Sequence, residues 1–311
     1  MNINNSCIHL AFAINDKFTL PLATLLESIF ATNKNNQLSI HVFAENLVPK
    51  NKNKIESIVK QYNATFNYHN ITIDDFSGIK IYDRFSLAAY YRLIMPSKLE
   101  QHTDKFLYLD ADIIVNGDLT PLWNTDLEKY AFAATDDLVA IECKRYDRFN
   151  IPRNYSYFNS GVLLINIKNW ISNDITQKAI EYLRNNECPF VDQDALNAVA
   201  YELRLPLPPI WNQQIGLYFV KKEFITSVYA EADYAEAIKK PIIIHFNGKE
   251  KPWHCVSWHP HQRKFNQYRK TTGLTWEWDN KSLKKRIKNL AYRIIGWKRI
   301  CRYDYYKNGR V

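Results

Sequence analysis

Phe106-Leu-Tyr-Leu-Asp-Ala-Asp112 is the stretch on which the reading of this chain turns. Four apolar or aromatic residues in a row predict a buried strand. Asp110 and Asp112 stand at its C-terminal end, and Ile113, Ile114 and Val115 resume the apolar run. Alternation puts the two carboxylates on one side of an extended backbone. Held there they repel each other and are costly to desolvate. A hard divalent cation relieves both penalties, because Mg²⁺ and Mn²⁺ prefer oxygen ligands. Solvated loop residues would not normally be flanked by apolar runs on both sides.

Upstream, Ile8–Ala13 and Leu38–Ala44 read as buried strands and Thr65–His69 as a third. Between them, Thr19 is placed to N-cap a helix with Pro21 in its first turn and Leu22, Leu25, Leu26 and Ile29 at helical spacing. Pro49 opens a second helix with Ile55, Ile58 and Val59 on its apolar side. This β-α-β-α-β order predicts a parallel sheet covered by helices on both faces. Nucleotides bind such sheets at the C-terminal strand ends, here those bearing Ala13, Asn15 and Asp110. Downstream, Leu87–Leu93 is a short helical stretch with Arg92. Ala131–Thr135, Val162–Ile167 and Pro241–Phe246 read as further strands. Asp136 follows the first of these, and His245 sits at the end of the last. Leu138–Tyr157 lacks periodicity and reads as a long surface loop. Asp192-Gln-Asp-Ala-Leu-Asn opens a helix that Asp192 or its neighbour would cap. Gln193 is either exposed there or turned toward the site.

The 311 residues suffice for one large domain with an appendage. No apolar run approaches the ~20 residues of a membrane span. The polar stretch Met1–Cys7 lacks the order of a signal peptide, so a cytoplasmic protein is expected. The 5 cysteines share no Cys-x-x-Cys spacing, which argues against a zinc knuckle or a disulfide framework. Glycine is scarce, and neither Gly-x-Gly-x-x-Gly nor a Walker-type loop occurs. The net charge of +9 is concentrated at one end. Residues 281–311 hold 11 Lys or Arg against Asp304, a net of +10, and the rest of the chain carries −1.

His245-Phe-Asn-Gly-Lys-Glu-Lys-Pro-Trp places an imidazole, a glycine permitting close backbone approach and Lys251 in one loop. Two aspartates and a histidine make a plausible oxygen-and-nitrogen site for Mn²⁺. Lys251 is then placed to neutralise a phosphate. A lone histidine at a strand end is otherwise an ordinary polar residue.

Five motifs in one register carry a resemblance. Phe106-Leu-Tyr-Leu-Asp-Ala-Asp-Ile-Ile-Val, Leu119-Thr-Pro-Leu-Trp, Phe158-Asn-Ser-Gly-Val-Leu-Leu-Ile-Asn, Asp192-Gln-Asp-Ala-Leu-Asn and His245-Phe-Asn-Gly-x-x-Lys-Pro-Trp look like glycosyltransferase family 8. The likeness runs from about residue 8 to residue 260. It is nearest to bacterial lipopolysaccharide or lipooligosaccharide galactosyl- and glucosyltransferases, which also carry a basic tail. The resemblance implies an α/β GT-A fold: a Rossmann-like mixed sheet flanked by helices, with a small basic helical C-terminal appendage. It also implies a UDP-sugar donor, Mn²⁺ (with Mg²⁺ as the alternative), and retention at the anomeric carbon. Carried over residue by residue, Asp110, Asp112 and His245 hold the metal, with Ala111 between the aspartates. Lys251 and the backbone at Gly248 meet the diphosphate, and Ala13, Asn15 and Lys17 line the uridine pocket. Arg92, Asn159, Ser160, Asp192 and Gln193 surround the donor sugar, with Asp136 nearby. Asn15 stands where the nearest members carry Asp, so it keeps an acceptor for the uracil N–H but not the charge.

Retention has two routes: a covalent intermediate on a protein nucleophile, or attack from the departing diphosphate's own face. Gln193 is a poor nucleophile beside a carboxylate, which favours the second. In the tail, Leu283, Ile287, Leu290, Ile294, Trp297 and Cys301 recur every three or four residues among lysines and arginines. This is the pattern of an amphipathic helix on an anionic membrane. A nucleic-acid-binding tail and a helix docked on the domain are the weaker readings. The expectation is a catalytic domain over 1–260, a membrane-associating region over 261–311, and a peripheral location on the inner face of the cell membrane. The expected partners are a UDP-hexose and an oligosaccharide or glycolipid acceptor, with no nucleic acid. The competing functions are a glycogenin-like or protein-glycan transferase, or a sugar-nucleotide-binding protein without turnover.

Overall fold

In the computed structural model the apolar segments become strands: β1 (Ile8–Ala13), β2 (Leu38–Ala44), β3 (Thr65–Asn70), β4 (Lys105–Leu109), β5 (Ile113–Val115), β6 (Phe132–Ala134), β7 (Val162–Asn166), β8 (Arg204–Pro206) and β9 (Ile243–His245). The structure describes residues 7–72, 76–80, 87–149, 151–152, 154–248, 251–254, 257, 259–274, 287 and 290. Seven strands form a mixed sheet in the order β3-β2-β1-β4-β7-β6-β8. β3, β2, β1 and β4 run parallel, as the β-α-β-α-β reading requires. β7 reverses against both β4 and β6, and β6 pairs in parallel with β8.

The strand sequences explain their places. β2 is buried along its whole length, as an inner parallel strand covered on both faces must be. β3 is half-exposed and lies at the edge. Side chains alternate between two cores. Leu10, Phe12, Ile40, Val42, Leu107 and Leu109 face the helices Thr19–Thr32 and Pro49–Gln61. Ala11, Phe43, Phe106 and Tyr108 face the helices Ile175–Asn185 and Val191–Ala200. Fully burying aliphatic side chains of this kind contributes about 1.5–3 kcal/mol each, so the sheet is held rigidly under the site.

A second, two-stranded sheet does the long-range work. β5 pairs antiparallel with β9, setting Ile113 opposite His245 and Ile114 opposite Ile244. Beyond it, the helix Gln262–Thr271 packs back on the body. Phe265 is buried against Phe246 and Trp253, and Thr271 Oγ1 donates to Glu27 Oε2 at 2.8 Å.

Three local expectations differ from what forms. Thr19 is the first helical residue rather than the cap, and its hydroxyl donates to the Asp16 carbonyl at 2.9 Å. The cap belongs to Asn15, which closes the short turn Asp16–Phe18. Leu138–Tyr157 is not simply a surface loop: Asp137 caps a helix, Leu138–Glu142, and Leu138, Val139, Ile151 and Tyr157 are buried. Five residues are too few to show a helical period. The helix Val191–Ala200 has no side-chain cap at Phe190. Asp194 instead reaches back to the Phe190 N–H at 2.8 Å. The basic tail lies outside the described residues, apart from Ile287 and Leu290, which are helical and exposed.

Candidate active site

β4 ends at Leu109, so Asp110-Ala111-Asp112 is a turn into β5 rather than one extended strand. The pairing of β5 with β9 then sets His245 beside it. His245 Nε2 lies 3.7 Å from Asp110 Oδ2 and 3.3 Å from Asp112 Oδ1. One ligand atom from each of the three falls within 4.8 Å of the others.

The outer atoms of the triad are already engaged. Asp110 Oδ1 accepts from Tyr108 Oη at 2.6 Å and from an Arg92 guanidinium nitrogen at 2.9 Å. Asp112 Oδ2 accepts from Lys251 Nζ at 2.5 Å, and that lysine also donates to the Phe246 carbonyl at 2.8 Å. Burial disfavours the charged form of Asp112, but Lys251 and His245 hold its carboxyl below the ordinary range. Its anion is thus available well below neutral pH. The inner atoms, Asp110 Oδ2, Asp112 Oδ1 and His245 Nε2, remain turned toward one another. Two hard oxygens and an imidazole nitrogen fit Mn²⁺ or Mg²⁺.

Gly161 makes this convergence sterically feasible. A Cβ there would fall 2.3 Å from His245 Cε1 and 2.6 Å from Asp110 Oδ2. Its carbonyl also accepts the Asp110 N–H at 2.8 Å. By contrast, a Cβ at Gly248 would meet Ile215 Cγ2 at 3.6 Å, an ordinary contact, so no contact among the described residues demands that glycine.

A second group adjoins the triad. Arg92 is buried and bridges Asp110 to Asp192, whose Oδ2 lies 3.0 Å from Arg92 Nε. Arg92 also donates to the carbonyl and hydroxyl of Ser160 at 2.5 and 3.1 Å. The Ser160 hydroxyl donates to Asp192 at 2.9 Å. Burial pushes the Asp192 carboxyl up to about 7, against the pull of Arg92. Gln193 is buried: Oε1 accepts from Asn159 Nδ2 and the Ser160 N–H at 3.1 Å each, and Nε2 donates to Asp137 at 3.1 Å. Arg92, Asn159, Ser160, Asp192 and Gln193 therefore form one connected wall with the triad.

Asp136 is placed otherwise. Its carboxylate is taken by Arg204 at 2.6 Å and by the Ser156 hydroxyl. Its neighbour Asp137 is the carboxylate that reaches Gln193. Ala13 ends β1, and Asn15 Oδ1 accepts the Lys17 N–H at 3.1 Å, while the Lys17 side chain is exposed. Phe18 of this loop meets Trp253 edge-on at 6.1 Å, which joins it to the segment bearing Lys251. The sequence alone assigns no role to Tyr108, Asp137 and Asn212, and marks Gly161 only as part of the Phe158-Asn-Ser-Gly motif. Only Tyr108 had a local signal: at two residues from Asp110 it shares that residue's face of the strand.

The family model described as glycosyl transferase family 8 matches residues 9–257. General stress protein A of Bacillus subtilis is 27% identical, covering 84% of this chain and 92% of its own. Lipopolysaccharide 1,2-glucosyltransferase of Escherichia coli K12 is 27% identical over 83% of this chain and 77% of its own. The crystal structure of the galactosyltransferase LgtC, in complex with donor and acceptor sugar analogs, superposes with a TM-score of 0.74 at 25% identity. It covers 90% of this chain and 100% of that one. With its GT-A sheet, its Asp-x-Asp turn and a match spanning most of its length, the chain belongs to glycosyltransferase family 8.

Proposed function

We propose that the chain is a UDP-hexose-dependent, retaining hexosyltransferase that moves galactose, or alternatively glucose, to a growing lipopolysaccharide or lipooligosaccharide. The convergence of Asp110 Oδ2, Asp112 Oδ1 and His245 Nε2 beside Lys251 supports this most strongly. Asp110, Asp112 and His245 would hold Mn²⁺, which when bound acts as a Lewis acid toward a diphosphate leaving group. Lys251 supplies a movable cation: its contacts with Asp112 and the Phe246 carbonyl are exchangeable for phosphate oxygens. Asn15, with Ala13 and Lys17, receives the uridine at the end of β1, and Gly248 gives the phosphates backbone access.

Arg92, Asn159, Ser160, Asp192 and Gln193 orient the donor hexose. Arg92 and Ser160 already engage Asp192. Gln193, an amide with both ends hydrogen-bonded, is a poor nucleophile. The acceptor hydroxyl therefore attacks from the face the diphosphate is leaving, and a phosphate oxygen takes its proton. Residues 1–260 make the catalytic domain, on which the helix Gln262–Thr271 also packs. The basic tail holds the enzyme on an anionic inner leaflet, where a lipid-linked acceptor is found, and exposed Ile287 and Leu290 belong to its apolar stripe.

Hydrolysis and transfer assays over a panel of UDP-sugars, with and without Mn²⁺, test the donor and metal reading. Activity with one UDP-hexose, lost in chelator, is expected; full turnover in chelator would overturn it. The tail is tested by sedimentation with anionic liposomes. Binding should vanish on deleting residues 275–311, and an intact chain that stays in the supernatant at moderate salt refutes this part.

A further inference from the structure

We infer that Asn212 is the positioning residue that fixes the tautomer of His245. On this view it stands at the end of a one-way relay of buried amides that starts at Asp137. The inference rests on the proposed metal role of His245 for its purpose, but not for its geometry.

The relay reads in one direction because two backbone N–H groups, which can only donate, pin it. The Ser160 N–H points at Gln193 at 3.1 Å, so the atom it meets is the amide oxygen, and Gln193 Nε2 turns to Asp137 Oδ2 at 3.1 Å. The Gly161 N–H points at Asn159 at 3.0 Å, so that atom is also oxygen, and Asn159 Nδ2 donates to Gln193 Oε1 at 3.1 Å. Asn212 must therefore offer its NH₂ to Asn159 Oδ1, at 2.9 Å. Its oxygen then faces His245 Nδ1, also at 2.9 Å. An oxygen there requires a proton on Nδ1, which leaves Nε2 as the ring nitrogen to face the ion. That is the nitrogen lying 3.3 Å from Asp112 and 3.7 Å from Asp110.

All four side chains, Gln193, Asn159, Asn212 and His245, are buried, so water cannot substitute for a lost link. Reversing any amide would set two donors or two acceptors together. The relay thereby ties Gln193, in the proposed sugar wall, to the ring that completes the ion site. Partners of this kind, bonded to the far nitrogen of a ligating imidazole, typically matter about 10–100-fold in metal affinity.

The experiment uses the full chain and Mn²⁺ alone, followed by EPR of the free ion, with ¹⁵N NMR of the histidine rings in metal-free protein. His245 is assigned by its loss in His245→Gln. In the wild type its Nδ1 should be protonated; a ring with a bare Nδ1 overturns the inference without any variant. Asn212→Leu, similar in size but without an acceptor, should weaken Mn²⁺ binding about 10–100-fold. Asn212→Asp keeps an oxygen for the Nδ1 proton but sets a second acceptor against Asn159 Oδ1, so it should recover only part of that loss. Equal affinity in wild type and Asn212→Leu overturns the inference, as does equal weakening in both variants. A wild type that binds no Mn²⁺ while His245 keeps its Nδ1 proton refutes the metal reading and leaves the tautomer relay standing.

Discussion

Replacing Gly161 with alanine adds a single methyl group at the most crowded point of the site. The new carbon would lie 2.3 Å from His245 Cε1, 2.6 Å from Asp110 Oδ2 and 3.0 Å from His245 Nδ1. Non-bonded carbons rest at about 3.5–4.0 Å, so the imidazole has to retreat by at least roughly 1 Å. It cannot do so freely. The ring is buried, Asn212 holds its Nδ1, and the backbone at His245 is fixed by pairing with Ile113. Asp110 is equally constrained by Tyr108 and Arg92. Overpacking of this kind costs about 1–3 kcal/mol, and at roughly 1.4 kcal/mol per tenfold, most of it should fall on the geometry of the triad. We expect the Mn²⁺ dissociation constant to rise at least about tenfold. Transfer should fall about 10²-fold, as a misplacement of about 1 Å commonly causes. Isothermal titration with Mn²⁺ and a transfer assay measure the two, and a melting curve reports the overall fold. If Gly161→Ala bound Mn²⁺ and turned over like the wild type, the close approach of these three residues would be wrong.

Lys251 competes with any cation for Asp112, so Lys251→Met should bind Mn²⁺ roughly tenfold more tightly without nucleotide, in line with the strength of a charge-assisted hydrogen bond. The same variant should raise the KM for the UDP-sugar, which titrations with and without UDP separate. Asp192 titrates near 7 in the fold because burial raises it from 3.8, so the folded state holds the extra proton between those values and stability falls as pH rises through that window. The melting-temperature advantage of wild type over Asp192→Asn should therefore narrow from about pH 5 to about pH 8, and a constant difference would count against the raised carboxyl. His41, fully buried between His9 and His69 at 3.0 and 3.1 Å, is lowered to about 3 by burial first and then by neighbouring histidines. Its unfolded form takes up a proton below about 6.5, so stability is lost as pH falls toward 3. Melting curves of His41→Phe should show a smaller acid penalty than the wild type.

What could be read from the sequence was whatever a few neighbouring residues decide together. Leu38–Ala44 is a continuous apolar run, and it is an inner strand. Pro49 opens a helix because its fixed φ suits the first turn. The Asp-x-Asp turn announced itself by carboxylates set between apolar runs, although its backbone is a turn and not the extended strand that alternation suggested. His245 joined it only through the motif around it, since nothing local states which strand β9 will meet. Gln193 could be read as exposed or inward, and burial against Asn159 and Asp137 decides it. Asp136 and Asp137 are adjacent and chemically alike. Arg204, far along the chain, takes the first and leaves the second to Gln193. Asn212 and Gly161 were the least legible. Trp211-Asn-Gln-Gln belongs to a stretch without a motif, and Asn159-Ser-Gly also reads as a turn into a strand. Each acquires its role only after Gln213 bridges Ile244 and β9 pairs with β5, which carries the imidazole to within reach of both. A residue whose duty arises across a strand pairing leaves no periodicity or cap in its own neighbourhood. The supports of this site lie along the hydrogen bonds that run back from His245 through Asn212 and Asn159.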